Sequence, residues 1–383
     1  MTAAPAARTD FAAAGALLGS REARPLGEAR GRVFAAHVFH LADISADREI
    51  GPPAPRGELS AVLLGAFAGE PFPLPGDLPV SDGDPLADED LHLSLYLCYE
   101  LHYRGVPGAH ERWEWDPSLI ALRGRLEDRF ESALAGVAPR DGAGTAPEDI
   151  DLALRAIADA DQGRSLSARV ESDATADELR EFVVHRSAYQ LKEADPHSWA
   201  LPRLHGRPKA ALVEIQADEY GGGRAERVHA ELFANAMDAL GLDARYGAYL
   251  ERIPGVTLAT VNLMSLFGLH RRLRGAIVGH LALFEMTSSL PNGRYARGVR
   301  RLGFDGHATA FFDEHVEADA VHENVAAVDL AGGLVRQDPA LAADVLWGAR
   351  ALAELDRRWA DHVLDAWDAG ATSLLAPLEA PHG

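Results

Sequence analysis

The chain has one cysteine, Cys98, among 383 residues. A single thiol cannot close an intramolecular disulfide, and it cannot supply the thiolates of a structural zinc site. Basic residues are also scarce: 37 Lys and Arg stand against 58 Asp and Glu, a formal net charge of −21. A surface of that sign repels the phosphates of nucleic acid and anionic membrane headgroups, so neither is expected as a partner. No apolar run approaches the ~20 residues that cross a bilayer. The alanine-rich start lacks the basic stretch and strong apolar core of a leader. A cytoplasmic protein is expected. Runs of β-branched residues and strict apolar–polar alternation are missing too, which argues against strands.

What is abundant is Ala and Leu at helical spacing, with 47% hydrophobic residues, enough for a sizeable core. The expected fold class is all-α. Helical patterns run over 88–105, 117–136, 148–161, 174–194, 208–240, 256–287, 293–302, 306–332 and 338–369. Asp116 and Pro117 make an N-cap and first helical residue, and Thr175 with Glu178 makes a capping box. Between them Ala138–Glu148 (APRDGAGTAPE) reads as a linker. It separates a helical N-terminal region, 1–145, from a helical bundle domain, 146–383.

The sharpest local pattern is FFDEHVEADAVHEN, which sets His315, Asp319 and His322 at i, i+4 and i+7. On an ideal helix they fall within about 60° of one another. Two imidazoles and a carboxylate on one face suit iron or manganese; the plain alternative is a solvated face, given Glu314, Glu317 and Glu323. A second pattern, DEYGGGRAERVH, holds Glu219, Glu226 and His229. Glu226-x-x-His229 has the spacing of dimetal bundles, while Gly221, Gly222 and Gly223 suggest either a distorted helix or a loop between two shorter ones. Glu193 (QLKEAD) lies near a helix end, and Glu285 (LALFEM) lies in apolar company. A carboxylate so placed costs several kcal/mol unless paired, protonated or coordinated. His270 and His280 read as core or helix-end histidines. The assembled set, Glu193, Glu219, His229, Glu285, His315, Asp319 and His322, matches the donor inventory for two iron ions better than tetrahedral zinc.

On Glu193, the EYGGG segment with Glu219, His229, Glu285 and the H-x3-D-x2-H helix, residues 150–370 resemble the haem-oxygenase-like diiron oxidase and oxygenase superfamily. The separations are similar to those of its N-oxygenating members. The resemblance implies a haem-oxygenase-like helical bundle preceded by a helical region that pairs two copies in a homodimer. It implies that His229, His322 and Glu193 serve one iron, that His315, Asp319 and Glu285 serve the other, and that Glu219 bridges; Glu226 competes with Glu219 by its local spacing. It further implies two Fe ions, O2 as co-substrate, an external electron donor and a small-molecule substrate. The expected reaction is N-oxygenation of an amine or guanidine on an amino-acid-like metabolite; the alternative is oxidative C–C cleavage or decarboxylation of an amino or fatty acid. A haem-binding protein and a thiamine-hydrolysing relative share the fold, but the latter uses a cysteine nucleophile and Cys98 lies outside the bundle. For substrate contacts the sequence offers Tyr189 and His185, one and two turns before Glu193, and Arg271 or Arg301 as partners for a carboxylate.

Overall fold

Every regular element among the described residues is helical. In the computed structural model the described residues are 50–75, 81, 83–160 and 163–379, the side chains of 317–321 excepted, and all fall within the unit Asp47–Gly383. The helices are α1 (Glu58–Phe67), α2 (Glu89–Glu100), α3 (Pro117–Val137), α4 (Ile150–Ala160), α5 (Leu166–Ser172), α6 (Ala176–Gln190) and the single turn α7 (Asp195–Ser198). They continue with α8 (Gly206–Glu219), α9 (His229–Ala239), α10 (Gly255–Leu269), α11 (Arg274–Arg301), α12 (Gly306–Asn324), α13 (Gly333–Gln337) and α14 (Ala342–Asp368). None of them is long and apolar enough to cross a membrane.

Local chemistry explains the clearest starts. The Asp116 carboxylate accepts from the Ser118 and Leu119 amides at 2.9 and 3.1 Å, with Pro117 at the first helical position where no N–H is needed. Thr175 and Glu178 close the capping box of α6 in both directions.

Packing then sets the layout. α2 and α10 are buried on almost every side, the mark of core helices, and they are tied together by Asn262 Nδ2 donating to the His92 carbonyl at 2.9 Å. α11 crosses α14 so closely that a Cβ on Gly279 would overlap the Val345 carbonyl, and one on Gly348 the Ala276 carbonyl. Residues 138–148, expected as a linker, form a loop held on α14, where Arg350 donates to the carbonyls of Pro139 and Asp141.

Three expected segments differ. The pattern over 208–240 is two helices, because the chain leaves α8 at Glu219 through Gly221, Gly222 and Gly223, all at positive φ. The pattern over 256–287 breaks at His270, whose extended backbone caps α10 while Nε2 meets Glu127 at 2.9 Å. Conversely, no gap separates 287 from 293: α11 continues through Pro291, and Asn292 Nδ2 donates to the Ser288 carbonyl beside it. After Asn324 the chain widens into a π-helix, Val325–Gly332, a form that is frequent near functional sites.

Candidate metal centre

Four helix ends and two helix interiors converge on one buried polar region. Glu193 lies in the turn after α6, Glu219 is the last residue of α8, and His229 is the first of α9. Glu285 comes from α11, and His315 and His322 come from α12. None of these six is more than 7% exposed. They form two groups whose ligand atoms lie within 4.8 Å of one another: Glu193, Glu219, His229 and His315, and Glu219, Glu285 and His322. Glu219 belongs to both. Asp319 lies outside the described side chains.

The glycine turn makes the first group possible. Gly221, Gly222 and Gly223 take φ of 66°, 60° and 80°, the left-handed region that costs other residues ~1 kcal/mol or more each. A Cβ on Gly221 would come within 2.6 Å of the Arg227 backbone. The turn doubles the chain back, so that His229 Nδ1 stands 2.9 Å from Glu219 Oε2. Glu226 is exposed and belongs to neither group.

Two of the three histidines are oriented by a partner on the other nitrogen. His315 Nδ1 donates to the Phe311 carbonyl at 2.8 Å, which leaves the Nε2 lone pair facing Glu193 Oε1 at 3.6 Å. His322 Nε2 donates to Asp218 Oδ2 at 2.9 Å, leaving Nδ1 facing Glu285 Oε2 at 3.4 Å. Carboxylate or carbonyl support of that kind is the usual companion of a metal-binding imidazole. The grouping differs from the expected pairing: His229 sits with His315, whereas His322 sits with Glu285. α9 begins beside the N-terminal half of α12, so its first residue meets His315 rather than the histidine two turns further on.

The polar atoms fit a metal better than they fit one another. Glu193 Oε2, Glu219 Oε2, His229 Nδ1 and His322 Nδ1 are buried without a hydrogen bond; the 2.9 Å approach of His229 to Glu219 lacks the alignment of one. Buried polar atoms left so cost about 1–3 kcal/mol each, a cost that coordination removes. Burial alone would raise the Glu219 carboxyl, but the surrounding imidazoles of His229, His315 and His322 outweigh it and hold the carboxyl below its usual range. Burial would lower His322, yet Glu285 and Asp218 push it up to about 9, and Glu219 likewise raises His229. Donors of mixed imidazole and carboxylate type suit iron. A void of about 10 Å³, room for about one water-sized molecule, touches Glu193, Glu219, His315 and Glu285.

A larger cavity of about 250 Å³ reaches Glu193 and His315 from the other side, walled by Phe284, Phe311 and Phe312. Tyr189 lines the small void. His185 lines neither cavity, being bonded to Thr257 and Ser373 at 2.8 and 3.0 Å. Arg301 is committed to the carbonyls of Val170, Glu171 and Ala174, and Arg271 is exposed. Sequence reasoning missed Asp218, Arg186 and Gln190. The last two share a face with Glu193, at four- and three-residue steps, and that spacing was the available signal; Asp218 offered none beyond its place next to Glu219. Cys98 is buried, which pushes its thiol up to about 12 and leaves it without nucleophilic character.

No curated protein matches the chain. Residues 180–357, which contain every residue of both groups, match the model of a family described as iron-containing redox enzyme. The segment that holds the two groups is therefore similar to a family of helical, iron-containing redox enzymes.

Proposed function

We propose that the chain is a non-haem diiron oxygenase that uses O2 to N-oxygenate an amine or guanidine of an amino-acid-like metabolite. The observation that carries this reading is the sharing of Glu219 between two buried donor groups. A carboxylate has two oxygens, and one placed at the junction of two sites can serve both. Glu193, His229 and His315 would complete one site; Glu285 and His322, with Asp319, would complete the other. Iron bound there supplies the electron transfer to O2 that no side chain of the cavity can perform. Asp218 and the Phe311 carbonyl hold the imidazoles of His322 and His315 in place, and Phe233, Phe311 and Phe312 form an aromatic wall beside His315. The reading includes a small-molecule substrate and an external electron donor. A haem would need an imidazole facing an open apolar slot; here the imidazoles face carboxylates at 2.9–3.6 Å.

The test is an anaerobic titration of the metal-free protein with Fe(II), followed by O2 uptake with a reductant. About two irons per chain are expected, none retained tightly by Glu219→Ala, and one retained by Glu285→Ala. A single iron per chain, or a Soret band on adding haem with no O2 uptake after Fe(II), would overturn the proposal.

A further inference from the structure

The large cavity carries a charge arrangement that the metal-binding residues do not use. Phe182, Arg186 and Gln190 follow one another at four-residue steps along α6, and all three line the cavity together with Glu193. Three arginines contribute to its wall. Arg164 is paired with Asp365 and Asp368, and Arg357 with Glu354 and Asp361. Arg186 differs: among the described residues it has neither a hydrogen bond nor an ion pair. Its guanidinium instead lies over the rings of Trp359 and Phe284, at 5.4 and 6.0 Å from their centroids. Aromatic faces fix its position and leave its donor edge available.

Gln190 stands one turn further on, about 6 Å along the axis. Its Nε2 donates to Glu193 Oε1 at 3.2 Å, which turns Oε1 the other way. That oxygen is buried with no donor, on a side chain only 5% exposed. The cavity thus offers a cation at its outer part and an unused acceptor next to Glu193. A volume of about 250 Å³ lies below the range that takes drug-sized ligands.

We infer that Arg186 and Gln190 form a substrate subsite for a small amino carboxylate: Arg186 binds the carboxylate, and Gln190 Oε1 accepts from the amine or guanidine N–H presented to Glu193. The inference rests on the proposed diiron reading for what lies beyond Glu193, but its binding chemistry is separate. It implies discrimination by charge, because a site built to hydrogen-bond a group rejects the analogue that lacks it.

The experiment is calorimetric titration of the iron-loaded protein, kept anaerobic, with L-arginine, L-ornithine and L-lysine, and with their decarboxylated counterparts agmatine, putrescine and cadaverine. At least one amino acid is expected to bind about 10- to 100-fold tighter than its counterpart, the range of a charge-assisted pair. Arg186→Met should bring that amino acid to the level of the amine, and Arg186→Lys should restore part of the difference. Gln190→Leu should weaken acid and amine alike. No preference for any carboxylate, or a preference that survives Arg186→Met, would overturn the inference; if the methionine variant fails to fold, the amine series and the lysine variant decide. Iron is counted in the same samples. Two irons per chain without a carboxylate preference would remove the subsite alone, whereas the preference without two irons would remove the diiron reading alone.

Discussion

Asp218 shows how a single side chain outside both donor groups can matter. Its carboxylate is 60% exposed, so it contributes little to the core, yet it holds Nε2 of the fully buried His322 at 2.9 Å. Asp218→Ala is expected to loosen iron at the group of Glu219, Glu285 and His322 by about 10- to 100-fold while leaving the melting of the metal-free protein unchanged. A chelator competition that resolves fast and slow iron release checks this, and identical release from both proteins would contradict it. The histidines of α12 were legible in the sequence because a helix repeats every 3.6 residues, and Glu285 because its neighbours are apolar. Asp218 was not legible, since nothing local marks a carboxylate whose partner lies 104 positions away. The grouping of His229 with His315 depends on where the start of α9 meets the middle of α12, which no spacing within one segment encodes.

The turn between α8 and α9 is the element on which the first donor group depends. A Cβ on Gly222 would meet open space, so Gly222→Ala carries only the left-handed strain, about 1 kcal/mol. Gly221→Ala adds overlap with the Arg227 backbone and should displace His229, with loss of iron from the first group while the second still binds. Metal analysis of the two variants side by side reads the contrast, and equal iron content would contradict it. At the crossing of α11 with α14, Gly348→Ala drives a methyl group into the Ala276 backbone. A loss of about 3 kcal/mol or more in urea unfolding is expected, at the upper end of overpacking. Helix starts with their own chemistry, Asp116–Pro117 and Thr175–Glu178, could be read from the sequence. The break at His270 and the continuation through Pro291 could not, because tertiary contacts decide both: His270 turns to Glu127 on α3, and α11 is held along α5, α12 and α14.

For the molecule as a whole, burial of neutral histidines sets the response to acid. Burial pushes His92 down to about 4 and His185 down to about 3, whereas an unfolded histidine takes up its proton near ~6.5. Between those values the unfolded chain binds more protons than the folded one. Stability therefore falls as the pH is lowered through about 6.5, by up to about 1.4 kcal/mol per unit for each residue. The raised His322 does not offset this, since it is protonated in both states below that pH. The urea midpoint of the metal-free protein should drop steadily from pH ~6.5 to ~4.5; a constant midpoint over that interval would contradict it. The central claim is that one carboxylate serves two buried metal positions. Crystals grown anaerobically with Fe(II), measured at the iron absorption edge, test it most directly. Two anomalous peaks are expected, one among Glu193, Glu219, His229 and His315 and the other among Glu219, Glu285 and His322, with Glu219 between them. A single peak, or iron elsewhere in the molecule, would contradict it.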